Sequence, residues 1–287
     1  MFANACEKAS KYTFPMIISY RTVNGRTVSS YNAFIVVNRD GWAITAGHVF
    51  GSFIRFREDQ KKIEEHKKRK EEDPGFDEPM DPGWMTNHSV WFGWNDVRLG
   101  QVYVNHDIDL ALVKLENFRP ELVREYPIFK DPQKLRKGTS LCRIGYPFIE
   151  DTTEFDKASG TFRIKPGLDK MDLFPLDGIM TKEIKLGKSS DGFDKTYIET
   201  TSPGLKGQSG GPLFDVNGYV AGMQSRTLHL DLGFPAVGKD KDGNEFDVKQ
   251  YLHVGWSVHV STLMQIFDEK GVKYSKETDD QGFRILG

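Results

Sequence analysis

Only two cysteines, Cys6 and Cys142, occur in 287 residues, too few for the disulfide framework of a secreted protein. No stretch approaches the ~20 apolar residues that a membrane-spanning helix needs. The first residues, Met1-Phe2-Ala3-Asn4-Ala5-Cys6-Glu7-Lys8, lack the basic start and apolar run of a secretion signal. An excess of charge of one sign is missing too: 39 Lys and Arg against 41 Asp and Glu leave a formal net charge of -2. That balance gives no reason to expect a nucleic acid or an anionic membrane as partner. The histidines His66, His88, His106, His229, His253 and His259 lack the paired spacing of a zinc site, so no metal and no cofactor is expected. The chain therefore reads as a soluble, cytoplasmic protein. Cys142, inside the apolar run Leu141 to Tyr146, reads as a buried, inert thiol. The length allows one or two domains and burial of about three-quarters of the unfolded surface.

Three stretches carry chemistry. Gly204-Leu205-Lys206-Gly207-Gln208-Ser209-Gly210-Gly211-Pro212-Leu213-Phe214 surrounds a serine with glycines. A lone serine hydroxyl is a poor nucleophile at neutral pH; acyl transfer needs a base on it and N–H donors aimed at the developing oxyanion. With Gly207 two residues ahead of Ser209, the loop can turn so that both backbone N–H groups point into one pocket. Gly210 and Gly211 leave room for a substrate carbonyl. Ala43 to Phe50 delivers His48 from the end of an apolar strand. Asp107 to Leu115 places an acid at the mouth of another. Histidine takes and returns a proton near neutrality, and a carboxylate fixes its tautomer and stabilises the imidazolium.

Together these stretches resemble the chymotrypsin-like (trypsin-fold) serine peptidases, and within them the HtrA/Deg branch. Its TAxHV, DLAxLKL and GNSGGPL patterns are similar to Thr45 to Val49, Asp109 to Leu115 and Gly207 to Leu213. Counting back from Lys114 and Leu115 selects Asp109 over Asp107. The resemblance covers roughly residues 15 to 265 and leaves no room for the PDZ domain that many HtrA proteins carry. It implies a serine endopeptidase with catalytic His48, Asp109 and Ser209, an oxyanion hole from the N–H groups of Gly207 and Ser209, and a protein or peptide substrate. A catalytically silent peptide-binding or partner-recruiting module on the same fold is the alternative. Intact His48, Asp109 and Ser209 argue against it.

The expected fold is all-β: two packed six-stranded antiparallel β-barrels, with a charged helical insertion and a C-terminal helix. Residues 1–120 form the first barrel with an insertion at about 55–96, 121–138 the connection, 139–270 the second barrel and closing helix, and 271–287 a tail. Short strands separated by turn signals such as Asn24-Gly25 support this. Between Arg57 and Glu72 almost nothing is apolar, and Glu/Lys pairs at i, i+4 predict a solvated helix. This insertion reads either as a surface excursion or as a substrate-gating or activator-binding element. Residues 229–249 read as an exposed excursion, and Ser261 as the cap of the last helix.

Departures from the pattern are informative. Gln208 stands where trypsin-like zymogens have an aspartate that pairs with a freed N-terminus, so activation by clipping is not expected; loop ordering by 150–176 or by the insertion is. An intracellular peptidase without a propeptide also suggests limited or conditional activity. Pro203 stands where trypsin-like enzymes hold an aspartate for basic substrates, which disfavours Lys or Arg at the cleavage point. The resemblance lines the substrate pocket with Pro203, Gly204, Trp256, Ser257, Val258 and His259, with Ser257 near Asp109 and Val258 and His259 along the substrate. An apolar pocket for a medium side chain is expected; the other reading has His259 favouring an acidic or amide side chain.

Overall fold

The computed structural model describes residues 1–149, 153–165 and 171–278, and the backbone of 283–286. A short helix, α1 (Ala3–Ser10), precedes β1 (Thr13–Thr22) and β2 (Thr27–Val36). The hairpin forms at Asn24-Gly25 because Gly25 takes φ +85 and the Asn24 side chain accepts from the Arg26 N–H at 3.1 Å. The chain continues through β3 (Trp42–Ala46), α2 (Gly51–Glu72), β4 (Met85–Phe92), β5 (Arg98–Asn105) and β6 (Leu110–Glu116). These strands form one sheet in the order β4-β1-β2-β3-β6-β5. The register of β3 on β6 ends with Ala46 against Leu110. It brings the turn after β3 beside the residue before β6.

The helix α2 begins at Gly51, ahead of the charged run, and the insertion behind it contributes the strand β4, paired to β1. Most of α2 is exposed, as its composition predicts. It is held to β4 by polar contacts and one aromatic stack: the buried Asp59 carboxylate accepts from the Met85 N–H at 3.0 Å and faces Arg55 and Lys62, Gln60 donates to Met85 O at 2.8 Å, Phe56 stacks on His88, and Ile63 packs inward.

The second barrel is built from β8 (Ser140–Arg143), β11 (Leu176–Lys188), β12 (Asp194–Thr200), β13 (Pro212–Phe214), β14 (Val220–Lys239) and β15 (Glu245–His259), with β7 (Ile128–Phe129) alongside. The ring closes, since β13 pairs both β8 and β14. Phe34, Ile44 and Leu112 belong to one continuous core with Phe129, Phe214, Val258 and Phe267, while Leu141, Met180, Ile198, Leu213 and Ala221 of the second-barrel strands form a smaller cluster of their own. A separate hairpin, β9 (Thr153–Asp156) with β10 (Thr161–Ile164), lies within the segment expected to order the site. Residues 150–152 and 166–170 of that segment lie outside the described residues.

Four features differ from expectation. α1 docks on the second barrel, with Phe2 against Phe214 and Lys8 Nζ donating to Asn217 O at 3.1 Å. Cys6 on this helix brings its Sγ to 3.9 Å from that of buried Cys142, a pairing across the whole first barrel that spacing could not reveal. Residues 229–249 are mostly exposed, and they are ordered as the far end of the β14–β15 hairpin, paired out to Lys239 and Glu245. Beyond α3 (Val260–Glu269), β16 (Tyr274–Glu277) joins β7 in parallel and pairs β17 (Phe283–Leu286).

The fourth is a correction. The cap of α3 is His259, not Ser261: the His259 Nδ1 accepts from the Ser261 N–H at 3.1 Å, because β15 ends at His259 and the helix already begins at Val260, ahead of the capping signal. His259 is only 3% exposed. Burial pushes its pKa down to about 4, with Glu183 opposing and Lys185 reinforcing the shift. Since the folded value lies below the unfolded one, the unfolded chain takes the proton first. Stability is full above about 6.5 and falls as the pH drops toward 4, by about 3 kcal/mol in all. A urea titration at several pH values should show this slope, and His259→Asn, which keeps a capping side chain, should flatten it between pH 6.5 and 5. An equal slope in both proteins would contradict the assignment.

Candidate active site

β3 ends at Ala46, and a single 3₁₀ turn, Gly47–Phe50, carries His48 out of the sheet. Gly47 packs directly on the Asp109–Leu110 backbone, so a larger residue would push the turn away. Asp109 adopts φ +66, a conformation uncommon outside glycine that Asp tolerates better than most. In this position its carboxylate accepts from the His48 N–H at 2.7 Å, and both oxygens lie 3.0 Å from His48 Nδ1. The contact orients the ring with Nε2 outward. Asp107 is exposed and turned away, accepting instead from the Ser190 N–H at 2.8 Å. The structure thus brings Asp109, and not Asp107, to His48.

Asp109 is 5% exposed. Burial raises its pKa, but hydrogen bonding and charge attraction from His48 and a hydrogen bond from Ser225 outweigh it, and the carboxyl sits below its ordinary range. The Ser225 hydroxyl donates to Oδ2 at 2.5 Å. This corrects the placement of Ser257, which is fully buried on β15 and hydrogen-bonds to Gln224 Oε1 at 3.2 Å. The supporting hydroxyl comes from β14, directly after the turn that follows the serine loop. A Ser in that strand was the available signal.

The serine loop is fixed from three sides. The Ala33 N–H of β2 donates to Ser209 O at 2.9 Å, the Gly210 N–H donates to Gln224 O at 2.8 Å, and the Gln224 N–H returns to Gly211 O at 2.8 Å. Gly210 takes φ +83, where a side chain would collide with Ala33 O and the Thr45 hydroxyl. Gly207 takes φ +96 with no room for a side chain beside Tyr146 O. Among the described residues, no backbone acceptor takes the N–H of Gly207 or Ser209. The buried Gln208 side chain accepts from the Leu205 N–H and donates to Phe174 O, both at 3.0 Å.

His48, Asp109 and Ser209 line one open cleft of about 460 Å³, together with His106, Ser225 and Arg226. The other expected site residues fall elsewhere. Val258 and His259 are buried, Val258 in the hydrophobic core and His259 as the N-cap of α3, and neither lines this cleft. Trp256 is half-buried, its ring tilted at 31° beside that of Tyr197, and it donates to Glu199 Oε2 at 3.1 Å. Pro203 and Gly204 form a half-buried wall, and Gly204 is tied to Thr227 Oγ1 through both its N–H, at 2.8 Å, and its carbonyl, at 2.6 Å. The space behind that wall is polar, not apolar, because the Gln224 side chain occupies it. Among the described residues no three His, Cys, Asp or Glu side chains group as metal ligands, although His229 and His253 meet across β14 and β15.

Residues 33–223 match the family model of the trypsin-like peptidase domain. Among solved structures, the Rv3671c protease of M. tuberculosis in its active form is similar with a TM-score of 0.50 at 13% identity, over 93% of this chain and 84% of that one. The HtrA-type protease AlgW, in a variant form with a tripeptide, gives a TM-score of 0.46 at 16% identity, over 94% of this chain and 63% of that one. No curated protein matches by sequence.

Proposed function

Because the chain belongs to the trypsin-like peptidase family, we propose that it is a serine endopeptidase acting on peptide or protein substrates through a covalent acyl-enzyme. Ser209 attacks the scissile carbonyl while His48 takes its proton, Asp109 holds the ring, and the Gly207 and Ser209 N–H groups receive the oxyanion. The proton passes to the leaving amine, and water repeats the step on the acyl group. The observation that carries this reading is the two-oxygen contact of Asp109 on His48 Nδ1, in the cleft that also holds Ser209. Labelling by a fluorophosphonate probe tests it. Wild-type protein should be labelled at Ser209, and the silent-module alternative predicts none.

Activity in the cytoplasm is proposed to be limited or conditional. Supporting this, the side-chain tether of Gln208 outside its own loop runs to Phe174, in the segment expected to order the site. Shifting that segment removes a support one residue from the nucleophile. The exposed face of α2, which starts directly after the His48 turn, is the proposed seat of a protein activator.

Ser225→Ala should lower kcat/KM by about tenfold, the share of a charge-assisted hydrogen bond worth about 1.5–3 kcal/mol that is felt in the transition state. It should also raise the Asp109 pKa and so steepen the acid side of the pH–rate profile. An unchanged rate and profile would show that the hydroxyl does not support Asp109.

A further inference from the structure

Arg143, on β8, is 0% exposed, and among the described residues no carboxylate pairs with it. Its Nη1 donates to Gln224 Oε1 at 2.6 Å and its Nη2 to Thr200 Oγ1. Its Nε has no partner, and neither does the neighbouring buried Ser202 hydroxyl. Burial lowers its pKa to about 10, which leaves it a cation at neutral pH. An unpaired buried charge costs several kcal/mol, and such a group calls for a function.

Its position supplies one. The guanidinium lies against Gly255, while the Gln224 carboxamide lies against Gly204, so the two side chains fill the slot between the Pro203–Gly204 wall and β15. Gln224 is hydrogen-bonded through its backbone to Gly210 and Gly211, next to Ser209. Its Oε1 accepts from both Arg143 and the Ser257 hydroxyl. A carboxamide oxygen held by a guanidinium and a hydroxyl marks the place a carboxylate oxygen would take with a stronger bond. An aliphatic side chain entering the slot would instead strand these donors. At the mouth, Thr227 bridges to Gly204 through one hydroxyl, a closure that a substrate can displace.

We propose that Arg143 is the specificity-determining residue of this cleft and selects an acidic residue, Glu or Asp, on the acyl side of the cleaved bond. The carboxylate displaces the Gln224 carboxamide oxygen and binds Arg143 with Ser257. This rests on the peptidase reading of the site.

The test is a set of fluorogenic peptides identical except at that position, carrying Glu, Asp, Gln, Asn, Ala, Val, Leu, Phe or Lys, with fluorophosphonate labelling of each protein in parallel. Wild type should favour Glu or Asp over Gln and Asn by at least about tenfold in kcat/KM, the discrimination of a site built around a polar partner. Arg143→Met should bring that ratio to about one while labelling persists. Arg143→Lys should restore part of it, because a point charge replaces a planar fork. If Arg143→Met does not fold, the wild-type profile decides. A labelled wild type that prefers Val, Leu or Ala would overturn the proposal and leave the peptidase reading standing. Absence of both labelling and cleavage would overturn both.

Discussion

Replacing Ser209 by Ala, or His48 by Ala, is expected to lower turnover by about 10⁶-fold. The two act as a unit, so the double variant should be little worse than either single one. The size of the loss follows from the chemistry: without the imidazole the hydroxyl keeps its proton, and without the hydroxyl no acyl-enzyme forms. Folding should not confuse the result. His48 is half exposed in its side chain and Ser209 half-buried, and the loop is held by the backbone of Ser209, Gly210 and Gly211, which alanine leaves in place. Steady-state hydrolysis of a peptide substrate checks this, with thermal melts as control. A loss below tenfold would rule the site out.

Asp109→Asn is the second large effect, about 10⁴-fold by presenting the wrong imidazole tautomer. Asparagine tolerates the φ of +66 at this position nearly as well as aspartate, so the backbone is not what fails. An amide can still accept from the His48 N–H, but it cannot neutralise an imidazolium. Asp107→Asn is the internal control. That carboxylate only caps the Ser190 N–H at the surface, and its loss should leave kcat/KM close to wild type. The reverse result, with Asp107 the damaging position, would contradict the geometry.

Much of this site was legible in the sequence because each of its parts sits at the end of a strand. An apolar run that stops at Ala46, another that starts at Leu110, and glycines around Ser209 each announce where a polar side chain leaves a sheet. What could not be read was the pairing between strands. Whether Ser225 or Ser257 reaches Asp109 depends on β14 and not β15 lying against the serine loop, and both strands carry a serine. His259 looked like a rim residue because its strand was expected to border the substrate. It is buried instead, as the N-cap of α3. Arg143 was hidden for the same reason: inside the run Leu141 to Tyr146 nothing local says that its side chain lies against Gly255 of β15 and reaches Gln224 of β14. The charged helix α2 was plain from composition, whereas α1, eight residues without a side-chain N-cap, carries too little pattern and is held by its contacts with the second barrel.

The central claim is that Ser209 becomes a nucleophile because His48 and Asp109 meet it in one cleft. The most direct measurement is intact-mass and peptide-map spectrometry of the protein quenched early in its reaction with a p-nitrophenyl ester, alongside the nitrophenol burst. The account predicts one acyl group per chain, on Ser209, formed in step with the burst and absent in His48→Ala. An acyl group on another residue, or equal acylation of Ser209 when His48 is gone, would contradict it.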